Sequence, residues 1–175
     1  MTPQEFDALF DSFHVVVFRL ETLPAYDVGG DADRLAAFRA GRPLPERSVR
    51  TSPWLARIAL STAEGKQWER VRVVDTPLTE YQEYELLAYQ ESQAAGERIT
   101  IAPRSRAIDV GPDFWLFDPD TPEAHAVLMN YAPGGQWLGA TSVVDPGGLR
   151  ALADIRRAAL AMAVPLNTFL VEARG

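Results

Sequence analysis

The chain has 175 residues, 47% hydrophobic and 23% charged, with 24 acidic against 17 basic side chains and a net charge of −7 at pH 7. That length suits one domain with a real core, and the absence of cysteine excludes disulfides, thiolate nucleophiles and cysteine-ligated zinc. Residues 61–120 hold six basic and twelve acidic groups, so the positive field that phosphate backbones require is missing and direct nucleic-acid binding is disfavoured.

No run approaches the ~20 apolar residues of a membrane span. The start MTPQEFDALF carries acidic groups where a signal peptide needs a basic and then apolar stretch. A cytoplasmic location is the expectation.

Thr2, Pro3 and Glu5 form a capping box with proline at the first helical position. Phe6, Leu9, Phe10 and Phe13 follow at helical spacing and predict one docked apolar stripe. FHVVVFRL, residues 13–20, reads as a strand buried on both faces and containing His14. Asp31 is placed to cap a short helix with Leu35 and Phe38 inward, and Ser52-Pro53 starts a third helix that ends at Gly65.

WERVRVV, residues 68–74, predicts an alternating strand. Thr79 and Gln82 predict a second capping box, ahead of a helix with Tyr81, Tyr84 and Ala88 on one face. Gly96 ends that helix, and a short strand carries Ile99 and Ile101. After DVGPDFWLFDPD at 109–120 come AHAVLMNY at 124–131, a turn at Pro133-Gly134-Gly135 and the strand QWLGATSVV. Asp145-Pro146 launches the last long helix, with Leu149, Leu152, Ile155, Ala159 and Met162 inward. The whole predicts an α+β or α/β fold: a single domain over 1–165, a mixed sheet of about five to seven strands flanked by helices, and a loosely attached tail at 166–175 in which Phe169 to Val171 have the composition of an added strand.

Asp113, Asp118 and Asp120 supply hard oxygen ligands of the kind magnesium or calcium takes. However, Asp118-Pro119-Asp120 reads more simply as a turn closing a buried strand, Phe114 to Phe117. No nucleophile elbow is present, and neither His14 nor His125 has a partner motif. Asp145 would itself occupy the free amides at Gly147-Gly148. Arg104 and Arg106, following a strand, are a better-placed basic pair. No cofactor and no metal is expected.

The order of strand 68–74, helix, strand RITIA and strand DFWLFD resembles a phospholipase D-like half-domain. With Asp118 as the aspartate of that superfamily's H-x-K-x-x-x-x-D motif, Gly111 and Asp113 fall where histidine and lysine belong, so the resemblance implies a catalytically dead version. FRLE, RVRVV, Pro77-Leu78, Tyr81, Glu85, Pro103-Arg104 and DFWLFD together resemble an actinobacterial family of unknown function, family 6879. That resemblance implies a setting beside helix-turn-helix regulators and no mechanism.

The leading expectation is a non-enzymatic accessory protein that binds a protein partner, such as a regulator, through its acidic middle third. One alternative is a binding domain for a small anionic ligand, with Arg72, Tyr81, Arg104 and Trp115 lining a pocket at the strand ends. Another is a hydrolase with a carboxylate-held metal around Asp113 and Asp118. Glu85 completes the candidate binding residues.

Overall fold

Seven strands form one mixed sheet in the order β6-β5-β4-β1-β2-β3-β7 in a computed structural model that describes residues 1–27, 29–106 and 111–173. The strands are β1 (Val16–Glu21), β2 (Gln67–Val74), β3 (Arg98–Pro103), β4 (Phe114–Phe117), β5 (His125–Tyr131), β6 (Trp137–Val143) and β7 (Val164–Pro165). β1, β2 and β3 run parallel, joined through helices α2 (Ala32–Arg39), α3 (Pro53–Ala63) and α4 (Glu80–Ala94). β4, β5 and β6 form an antiparallel meander on the other side of β1. Helices α1 (Pro3–Ser12), α5 (Pro146–Met162) and α6 (Leu166–Glu172) complete the α+β fold.

The helix starts follow from local chemistry. Thr2 and Thr79 each close a capping box with Glu5 and Gln82, and Ser52 and Asp145 accept from Leu55 N and Gly148 N. Each such cap satisfies an amide that the helix leaves free. Asp31 stands at the N-cap of α2, but its side chain makes no capping bond.

Strand alternation divides the core between two faces. On one, Phe18, Leu20, Val71, Val73, Phe114 and Leu116 pack under α5 through Leu152, Ala153 and Ala159. On the other, Val17, Trp68, Trp115 and Phe117 meet Phe10 of α1 and Leu55 and Ile58 of α3. β4 is therefore the doubly buried strand expected, and each of its large side chains contributes on the order of 2 kcal/mol by burial.

Three expectations need correction. His14 precedes β1 and is exposed. The alternation in β2 does not separate a wet face from a dry one, because every residue from Trp68 to Val74 is buried, arginines and glutamate included. Residues 166–172 are neither a loose end nor a strand: they form α6, whose fully buried Leu166 packs with Leu86, Ile99 and Ile101. Arg174 and Gly175, like Asp109 and Val110 of the acidic stretch, lie outside the described residues.

Candidate functional site

On the sheet face that carries Val17 and Trp68, the next positions toward the strand ends are Arg19 and Glu21 on β1 and Arg70 and Arg72 on β2. The parallel register sets Arg19 beside Arg70 and Glu21 beside Arg72. Adjacent buried guanidiniums require interleaved carboxylates. Arg70 lies between Glu21 (2.6 Å) and Glu97 (2.8 Å). Arg72, 0% exposed, reaches Glu85 of α4 at 2.5 Å and donates to the carbonyls of Leu23 and Val73. Arg19 pairs with Asp113 at 3.0 Å and also donates to the Tyr131 hydroxyl. The Tyr89 hydroxyl donates to the free oxygen of Glu21. Half of this face is thus an apolar core and half a buried ionic layer.

Above the ionic layer lies a cavity of about 220 Å³, walled by Tyr81, Tyr84 and Tyr89 of α4, Tyr26 and Tyr131, and Trp54 of α3. Glu21, Asp31, Glu85, Arg47 and Arg70 supply its charged lining. Glu21 ends β1, so the cavity reaches the carboxyl end of a parallel strand, the side on which open α/β sheets place ligands. That volume holds several waters or a small organic molecule.

Two tethers shape the walls. Arg34 Nη2 donates to both carboxylate oxygens of Glu91 on α4 (2.7 and 2.9 Å) and Arg34 Nη1 to Pro45 O, while Arg47 donates to Ala88 O and Ser92 Oγ, fastening the segment between α2 and α3 onto α4. The segment bearing Tyr26 is held by Asp27 N donating to Gly135 O. Gly135 has φ +85, and a Cβ there would lie 2.5 Å from Ala25 O, so this close approach requires glycine.

Burial and the neighbouring Glu21 charge push the Glu85 carboxyl up to about 7 against the pull of Arg72. Glu21 is equally buried, yet Arg70, Arg19 and Arg72 hold its carboxyl well below the usual range. Burial raises the phenols of Tyr26, Tyr81, Tyr84, Tyr89 and Tyr131, which stay protonated. Among the described residues, Arg19 Nη1, Arg72 Nη2 and the Tyr84 hydroxyl are buried without a hydrogen-bond partner. The Tyr84 hydroxyl lies beside Arg34 and lines the cavity.

Of the seven residues singled out in the sequence, Tyr81 and Glu85 line this cavity and Arg72 lies directly behind Glu85. Trp115 sits lower, its ring 5.4 Å from the Arg19 guanidinium and 5.7 Å from that of Arg70. Arg104 is at the surface, bound to Asp75 (2.6 Å) and to Thr22 O. Asp113 is buried and accepts from Arg19, Thr22 N, Thr22 Oγ1 and the Tyr26 hydroxyl. Asp118 accepts from the backbone amides of His14 (2.7 Å), Val15 (2.7 Å) and Val16 (3.0 Å), pinning the start of β1.

Asp113 and Asp118 flank the ends of β4, roughly 16 Å apart along a strand, and each is taken up by the fold's own donors. No cluster of three or more histidine or acidic side chains suited to a metal occurs among the described residues.

Sequence reasoning missed Arg19, Glu21, Arg70, Tyr26, Tyr89 and Tyr131. Charged residues two apart in both FRLE and ERVRVV, within strands otherwise apolar on both faces, were the available signal. Only the pairing of β1 with β2 shows that these charges share one buried layer.

The fold and site define an α+β protein whose parallel strand ends carry a buried ionic layer under a tyrosine-walled cavity. The chain belongs to the family described as Domain of unknown function (DUF6879), which matches residues 4–171. No curated protein matches it. No helix among the described residues is long and apolar enough to cross a membrane.

Proposed function

We propose that the protein is a binding domain for a small polar molecule, held in the tyrosine-walled cavity. The observation that carries this reading is the ionic layer itself. Three buried arginines with four buried carboxylates stabilise a fold less than apolar side chains of equal volume would, and such groups concentrate beside ligand sites. Here Glu21, Arg70 and Glu85 of that layer line a cavity together with Tyr84, whose buried hydroxyl makes no direct hydrogen bond. Calorimetric and thermal-shift titration with small polar metabolites tests it. A ligand should raise the unfolding midpoint of the native chain and leave Ala88→Phe, which fills the cavity, unchanged. A flat response across charged and neutral metabolites alike would refute the reading.

A second reading, an accessory role through contact with a protein partner such as a regulator, draws on edge strand β6. Trp137 and Leu138 are exposed there at 39% and 65%, and Val144 just beyond at 64%. Exposed edge strands pair with other chains. Pull-down at physiological salt with native chain and with Leu138→Lys tests it; identical recoveries would count against β6.

A further inference from the structure

Resting on the binding reading above, we infer that the cavity takes a small organic cation bearing N–H donors, an ammonium or guanidinium group, rather than an anion. Every guanidinium that lines it is already spoken for. Arg70 is bonded to Glu21 and Glu97, and Arg47 to Glu91, Ser92 Oγ and Ala88 O. An anion entering would meet these pairs and the three lining acidic side chains, Glu21, Asp31 and Glu85, of which Glu21 is held ionised by its arginines.

Among the residues that line the cavity, the groups left short of partners are acceptors, while the unpartnered donors Arg19 Nη1 and Arg72 Nη2 lie outside that lining. Asp31 has no ion-pair or side-chain cap partner among the described residues. Glu85 has Arg72 alone as a cation in direct contact. Tyr84, 1% exposed, lines the cavity, and its hydroxyl makes no direct hydrogen bond, with Arg34 as its charged neighbour. These three acceptors come from the N-terminus of α2 and from two adjacent positions of α4, and all three residues line one volume.

The walls add a second attraction. Ring faces carry negative quadrupole potential and draw cations. Arg72 already lies 5.1 Å over Tyr26 and Arg70 5.3 Å over Tyr89, on the protein side of the cavity. Tyr81 packs edge-on against Tyr26 at 6.2 Å and against Tyr84 at 6.1 Å, and no cation lies over Tyr81, Tyr84 or Tyr131 among the described residues. A cation in the cavity would meet these rings and the three acceptors together.

The test is NMR titration of the full chain with methylguanidinium, ethylammonium, tetramethylammonium, urea and acetate, read at the ring signals of Tyr81 and Tyr84. The two N–H cations should shift them saturably. Asp31→Asn, which preserves shape and removes no capping bond, should weaken both by about tenfold, roughly one charged hydrogen bond, with the unfolding midpoint unchanged. Tyr84→Phe, which keeps the ring, should weaken them less. If urea or acetate binds as well as the cations, the cation class is wrong while the cavity reading stands. Equal binding of tetramethylammonium overturns the hydrogen-bonded form. If no probe moves these rings, both the inference and the reading beneath it fail.

Discussion

Asp118→Ala should be among the most destabilising single changes on this protein, although Asp118 lies far from the cavity. Its carboxylate, 3% exposed, accepts three consecutive backbone amides at 2.7, 2.7 and 3.0 Å and so fixes where β1 begins. Hydrogen bonds to a charged group contribute about 1.5–3 kcal/mol each. His14 and Val15 are exposed, so their freed amides regain water and the loss is smaller than three full bonds. Alanine also tolerates φ 45 poorly, adding roughly 1 kcal/mol. The sum is a loss of about 4 kcal/mol, against about 0.5 for an ordinary surface change.

Asp118→Asn keeps an acceptor and accepts the left-handed backbone, so about half that loss is expected. Urea denaturation at pH 7 measures both. A loss below about 1 kcal/mol for alanine would refute the anchoring role. So would magnesium or calcium stabilising the native chain but not the variant, because that would make Asp118 a metal ligand.

Glu85→Gln should alter how stability depends on pH. Glu85 on α4 faces Arg72 of β2, Glu21 of β1, and Tyr81 and Tyr89 of its own helix; its carboxyl is raised from 4.5 to about 7. The stabilisation from holding it protonated is complete below the unfolded value and lost as pH rises through about 7. The native chain should therefore lose up to about 3 kcal/mol relative to the glutamine variant between pH 4.5 and 7, measurable by denaturation at each pH; parallel curves would contradict it. Gly135→Ala should cost about 3 kcal/mol, combining a positive φ with a Cβ too close to Ala25 O, and should move the Tyr26 segment, visible in Tyr26 ring shifts. Thr79→Ala should cost about 1 kcal/mol by removing the α4 cap, checked by thermal unfolding.

Local chemistry made much of the fold legible. Thr79, Ser52 and Asp145 each bond an amide three residues away, so caps are written in adjacent residues. Phe114 to Phe117 announced a strand buried on both faces because four large apolar side chains leave no solvent side. The site was legible only in part. Tyr81 could be placed on an inward helix face by its spacing, but what it faces could not. Asp113 and Asp118 could be read as ligands because isolated acidic residues beside aromatics give no sign of their donors, which lie 87 to 104 positions away in sequence.

By itself, then, the sequence determined the helices from α1 to α5, most of the strands and the apolar part of the core, all set by contacts within about four residues or by period-two alternation. Tertiary structure alone decided that Arg19, Arg70 and Arg72 are interior. Whether a charge is solvated or buried depends on which carboxylates the pairing of β1 with β2 and the docking of α4 bring to it. The cavity above them exists only because those long-range contacts bring together five tyrosines spread from position 26 to 131.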